Sequence, residues 1–206
     1  MKDFEKLSRI HFNNQAKDYD SKDTVYYSKE GKISCVDIQK YLKNVPFERL
    51  LDVGCGTGFL IDNLAKERDA EYYGLDLSEK MIEVAKSKNI KGAEFVRGSA
   101  NMLPYDDESF DVVTCVQSFH HYPYPDEAMK EVYRVLKKGG VYILSDTGLD
   151  GIGAWIDNHI IFPLMNSGDC NVSGIKGISS RMKNNGFKVL DAWKVKGFIY
   201  TVVSKK

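Results

Sequence analysis

A short apolar run, Arg49-Leu-Leu-Asp-Val53, leads straight into glycines at 54, 56 and 58, and apolar residues at helical spacing (Leu60, Ile61, Leu64, Ala65) follow at once. A strand that turns through closely spaced glycines into a helix is the opening unit of an open α/β sheet. The alternation continues. EYYGLD (71–76) reads as a strand and is followed by a helix from Ser78, its N-cap, with Met81, Ile82 and Ala85 inward. AEFVRG and SFDVVTCV are further strands, then comes a helix through DEAMKEVYRVLKK with Gly139-Gly140 as its stop, and VYILSD is a fifth strand.

The end departs from this rhythm. After the helix GISSRMKNN, the strands FKVLDAWKV and FIYTVVS are separated only by about Lys196-Gly197. A parallel pair needs a long crossover, so these two strands are antiparallel. The expected architecture is a Rossmann-like, mostly parallel seven-stranded sheet with helices on both faces and a C-terminal antiparallel hairpin. Helical spacing also marks residues 3–16 and 33–45, the second stopped by Pro46. The 206 residues fit a single domain, divided into an N-terminal helical cap (1–47), a cofactor-binding core (48–146), a substrate-side segment (147–173) and the final helix and hairpin (174–206).

Bulk composition narrows the function. Net charge is zero, which argues against a dedicated nucleic-acid binder, although residues 174–206 hold eight basic residues against one acid. A solvated basic face is the plainer reading of that excess; an RNA contact is the sharper one. No apolar run reaches membrane-spanning length and the N-terminus has no signal-peptide core, so a cytoplasmic protein is expected. Cys35, Cys55, Cys115 and Cys170 lie far apart without a CxxC pair, so free thiols and no metal site are expected.

The glycine turn can be matched to a ligand by charge. A dinucleotide fold wants a final glycine where this chain has Phe59, and no Gly-Lys-Ser/Thr follows for a P-loop. Asp52, just before the turn, repels a pyrophosphate but welcomes an ammonium group. Asp76 ends the second strand 20 residues after Gly56, where a carboxylate can accept hydrogen bonds from a ribose diol. A ligand with a ribose, a cationic amine and no phosphate is S-adenosylmethionine.

Several motifs in order then carry a family resemblance. LLDVGCGTGF, YGLDLSEKMIEVAK, the long stretch from Arg97 to Asp146 and RMKNNGFKV resemble class I S-adenosylmethionine-dependent methyltransferases, particularly the small-molecule branch with the ubiquinone/menaquinone-biosynthesis pattern. The resemblance covers about residues 12–206. It implies that Asp52 contacts the methionine amine, that Gly54, Gly56 and Gly58 leave room for the ligand, that Asp76 takes the ribose hydroxyls and that Leu77 flanks the adenine. Cys55, Met81 and Ala100 complete the implied cofactor-binding set. Where the family usually has Gly-Asp-Ala, this chain has Gly98-Ser99-Ala100, so Ser99 offers adenine one hydrogen bond without charge. Phe12, Ala16 and Tyr19 resemble a family segment that closes over the cofactor, which places Tyr19 at its methionine end.

Methyl transfer is an in-line displacement with a good leaving group, so alignment and exclusion of water supply much of the catalysis. A base is needed only for a protonated nucleophile. His120 and His121, after the fourth strand, are the candidate bases, with His159 a second option and Gln117 lining the cofactor's methionine end. No Asn/Asp-Pro-Pro-Tyr or Pro-Cys motif points to DNA-base methylation. Residues 147–173, with Trp155, Ile156, Ile160, Ile161 and Phe162, are expected to shape a partly apolar acceptor pocket or to pack against the core. The favoured reading is methyl transfer to a small-molecule acceptor. An RNA-modifying enzyme and a non-catalytic cofactor-binding regulator are the alternatives, and the sequence assigns no oligomeric state.

Overall fold

The computed structural model describes residues 2–21 and 27–206. Seven strands form one sheet: β1 (Arg49–Val53), β2 (Glu71–Asp76), β3 (Ala93–Arg97), β4 (Phe110–Val116), β5 (Leu136–Thr147), β6 (Lys188–Lys196) and β7 (Ile199–Lys205). Their order is β3-β2-β1-β4-β5-β7-β6. β1 to β5 pair in parallel, whereas β7 runs antiparallel to both β5 and β6. The expected sheet and terminal hairpin are therefore both present. Strand order reverses beside β1, and ligands bind in open α/β sheets beyond the carboxyl ends of the strands at such a switch.

Side chains alternate across the sheet and feed two cores. Leu50, Val112, Val141, Ile143 and Val203 face α2 (Tyr27–Leu42), α3 (Phe59–Glu67) and α4 (Glu79–Ser87), which bury Ile38, Leu42, Leu60, Ile61 and Ile82. Their neighbours Leu51, Val113, Tyr142, Leu144 and Val202 face α5 (Pro125–Val135) and α7 (Ile175–Asn184), which bury Met129, Val132, Ile178 and Met182. Ser78 caps α4 as its sequence suggests, accepting from the Met81 N–H.

Two elements differ from the sequence reading. α5 ends at Val135, not at the glycine pair, because buried Leu136 is drawn into the sheet opposite Phe110. The ladder then shifts register, and Gly139, at φ +76°, donates its N–H to the Lys206 carbonyl. The two glycines shape the entry to β5. The supposed N-terminal cap also divides: α2 is a core helix on the sheet, and only α1 (Phe4–Gln15), with the turn after it, lies over the strand ends.

Candidate active site

The turn after β1 and the end of β2 are tied together through one carboxylate. Asp76 accepts from the Gly56 N–H at 2.8 Å with Oδ2 and from the Ser78 N–H at 2.8 Å with Oδ1. Burial pushes its pKa up while those backbone donors pull it back. Asp52 is buried at the end of β1, with its Oδ1 accepting from the Thr114 hydroxyl at 2.7 Å. Burial outweighs that bond, the Asp76 charge adds to it, and the carboxyl is pushed up to about 7. Both acids therefore sit in water-poor surroundings that favour a hydrogen-bonding or cationic partner.

Three cavities meet at Tyr19 and Gln117. The first, about 730 Å³, runs past Asp76, Leu77, Met81, Ser99 and Ala100. The second, about 500 Å³, contains Asp52 and Cys55 together with Asp20 and Lys32, and it shares Gly54 and Gly56 with the first. The third, about 600 Å³, is walled by Phe12, Phe162 and Val172 and ends on His120, His121 and Asp169. Gln117 stands at the junction with φ +47°, its Oε1 accepting from Thr147 and its Nε2 donating to Ser34. A left-handed backbone at a non-glycine residue costs free energy and marks a position held by its surroundings.

The glycines do different work. A Cβ on Gly56 would meet nothing within 4 Å, so this position is open toward the cleft. A Cβ on Gly54 would lie 2.0 Å from Ser118 Oγ, and one on Gly58 would lie 2.9 Å from the Phe95 ring. Those two make room for protein, and Gly58 lines none of the three cavities. Burial holds the Cys55 thiol well above its ordinary range, which leaves it protonated and inert.

Besides Phe12, α1 brings two residues that the sequence reading did not single out, Glu5 and Asn13. Glu5 lines the first cavity and accepts from the Ser99 hydroxyl at 2.8 Å. Asn13 accepts from the Ser78 hydroxyl at 2.6 Å, and Phe12 meets the His121 ring edge-on at 4.9 Å. Beyond the helix, Asp20 accepts from Thr57 and pairs with Lys88. The N-terminal segment is thus stitched across the cleft from the Ser99 end to the glycine turn.

The histidine corner also contains partners from distant sequence. His120 Nδ1 lies 2.6 Å from Asp146 Oδ1, and the His120 N–H donates to the other Asp146 oxygen at 3.1 Å. The His120 carbonyl accepts the N–H groups of Cys170 and Asn171, which folds residues 169–171 back onto the histidines. Asp169 Oδ1 then lies 3.5 Å from His120 Nε2 and 3.6 Å from His121 Nδ1. His159, the other candidate base, stacks on Trp155 and donates from Nδ1 to the Trp155 carbonyl at 2.9 Å, outside these cavities. Trp155 and Ile160 are exposed, so the segment after β5 (short helix Ile152–Ile156, a wider turn Asp157–Ile161 and the turn Phe162–Leu164) does not bury them.

Comparison with known proteins agrees with this geometry. Residues 51–144 match the model of a family described as a methyltransferase domain. Over 143 residues the chain is 35% identical to the phthiotriol/phenolphthiotriol dimycocerosates methyltransferase of Mycobacterium tuberculosis, covering 67% of this chain and 53% of that one. Over 105 residues it is 44% identical to the fatty-acid O-methyltransferase of Mycolicibacterium smegmatis, covering 50% and 38%. The chain thus spans about half or less of the length of these curated relatives. An S-adenosylmethionine-dependent methyltransferase from Aquifex aeolicus shares the fold at a TM-score of 0.72, with 19% identity over 93% of this chain and 97% of that one. Glycine turn, paired strand-end carboxylates, sheet order and these matches together make the chain a member of the class I S-adenosylmethionine-dependent methyltransferases.

Proposed function

We propose that the protein transfers the methyl group of S-adenosylmethionine to a small acceptor with an apolar body and a polar reacting end. The observation that carries this reading is the third cavity, which has an apolar wall of Phe12, Phe162 and Val172 and carries its polar groups at Tyr19, Glu30, Gln117, Thr147 and the histidine corner. It joins the Asp76 cleft at Tyr19 and Gln117. None of the basic residues of 174–206 lines these cavities among the described residues, which supports a small molecule over RNA.

Bound S-adenosylmethionine supplies an activated methyl on a good leaving group. The chain's part is to bind, orient and exclude water. Asp76 holds the ribose hydroxyls on the lone pairs left beside its two backbone bonds, and Asp52 holds the amine in the second cavity. Glu5 restores at the adenine end the carboxylate that Ser99 lacks, positioned by the Ser99 hydroxyl itself. Tyr19 and Gln117 close the junction, and Phe12 and Phe162 align the acceptor so that its reacting atom sits beside His120 and His121. The fatty-acid specificity in the name of one relative is consistent with such a pocket.

The test is transfer of labelled methyl to a panel of hydroxylated and carboxylated apolar molecules beside polar metabolites of the same size. Label entering the apolar members supports the reading. Label confined to polar metabolites or RNA overturns it.

A further inference from the structure

His120, His121 and Asp169 present three donor atoms that all lie within 4.8 Å of one another. His120 Nδ1 is held by Asp146 at 2.6 Å, and its Nε2 faces Asp169 Oδ1 at 3.5 Å. His121 Nδ1 faces the same oxygen at 3.6 Å and has no hydrogen-bond partner, although the residue is only 6% exposed. Both separations are too long for a good hydrogen bond. One carboxylate oxygen thus faces two buried ring nitrogens across gaps that a bound cation would fill.

A cation bonded at about 2.0–2.2 Å to nitrogen and oxygen in tetrahedral geometry spaces its ligands about 3.3–3.6 Å apart. The two gaps to Asp169 fit that spacing, and the two ring nitrogens lie within 4.8 Å of each other. Asp146 supplies the usual outer partner of a metal-binding histidine, a carboxylate on the far ring nitrogen that fixes tautomer and orientation. The other Asp169 oxygen accepts from the Ser167 hydroxyl, so the carboxylate is held from behind as well.

We propose that His120 Nε2, His121 Nδ1 and Asp169 bind one divalent first-row transition ion, of the zinc or iron(II) type, with its open position toward the Phe12–Phe162 cavity. Two imidazoles and one carboxylate are a donor set of such ions. The ion's role rests on the acceptor reading above; the site itself does not. There the ion would take an acceptor hydroxyl as ligand and lower its pKa, the proton would pass to water, and the oxygen's electron pair would make the new C–O bond as the methyl–sulfur bond breaks and leaves its pair on the sulfur of S-adenosylhomocysteine. No electron is transferred to or from the metal.

Cobalt(II) is the probe. Chelator-stripped protein titrated with Co²⁺ is expected to take up about one equivalent and to show visible d–d absorption without a thiolate charge-transfer band. Asp169→Asn and His121→Ala abolish the spectrum, and Asp146→Asn weakens affinity about 10–100-fold, with near-ultraviolet circular dichroism confirming the fold of each. If those variants fail to fold, the wild-type titration and metal analysis of the purified protein decide alone. Absence of stoichiometric cobalt, a thiolate-type spectrum, or binding indifferent to all three folded variants overturns the site. Equal methyl transfer by stripped and metal-loaded protein overturns the ion's role and leaves the proposed function standing. A stoichiometric cobalt site in a protein that methylates no apolar acceptor upholds the site and overturns that function.

Discussion

The Glu5 carboxylate accepts a hydrogen bond from the Ser99 hydroxyl at 2.8 Å, joining residues 94 positions apart at one end of the cleft. Serine stands where the family places an acid, and the acid arrives from another element. In the proposed function Glu5 gives the adenine amine a charge-assisted bond, so Glu5→Ala should weaken S-adenosylmethionine binding about 10–150-fold, the equivalent of about 1.5–3 kcal/mol. Adding Ser99→Asp to that variant should recover most of the affinity. Isothermal calorimetry of the single and double variants checks both, and an unaffected single variant would remove Glu5 from the cofactor site.

Asp52 gives binding a pH dependence. Only its carboxylate form attracts the cofactor amine, and with its carboxyl pushed up to about 7 that form grows from a small fraction at pH 6 to most of the population at pH 8. Affinity should therefore rise about tenfold between pH 6 and pH 8. Stability of the free protein moves oppositely. A carboxyl whose folded pKa is raised contributes stability that is present at low pH and lost as pH rises through about 7. Asp52→Asn should flatten both profiles, measured by calorimetry and by denaturant unfolding.

Glycine substitutions should separate packing from binding. Gly58→Ala places a methyl 2.9 Å from the Phe95 ring at a left-handed φ of +74° and should destabilise the fold by about 2 kcal/mol or more. Gly56→Ala carries the left-handed penalty of about 1–2 kcal/mol but meets no neighbouring atom, so its larger effect should be on cofactor affinity. Chemical denaturation and calorimetry on the pair distinguish the two roles.

Phe162 lines the third cavity, the proposed acceptor site, and not the Asp76 cleft. Phe162→Ala should raise KM for apolar acceptors about tenfold, in line with about 1.5 kcal/mol of lost apolar burial, and leave cofactor affinity unchanged. Steady-state kinetics with calorimetry would show the split.

Most of the fold was legible because it follows local rules. RLLDV and EYYGLD begin and end as strands where the sequence places them, and Ser78 caps its helix. The error at Gly139-Gly140 came from reading a glycine pair as a helix stop when long-range pairing of Leu136 with Phe110 ends the helix earlier. The site was legible in the same measure. Asp52 and Asp76 stand at strand ends beside a glycine turn, a local pattern, and both border the cleft. Glu5, Asp146 and Asp169 were missed because tertiary folding alone brings them to Ser99 and the histidines. An isolated acid on an N-terminal helix has no spacing to mark it.

The paired strand-end carboxylates are the centre of the account, and Asp76→Asn probes them most directly. Asparagine keeps one acceptor oxygen for a backbone N–H of the Gly56–Ser78 clasp but loses the charge offered to the ribose. In a calorimetric titration with S-adenosylmethionine, the account predicts at least about a tenfold loss of affinity with the fold intact. An affinity equal to that of the wild type would contradict it.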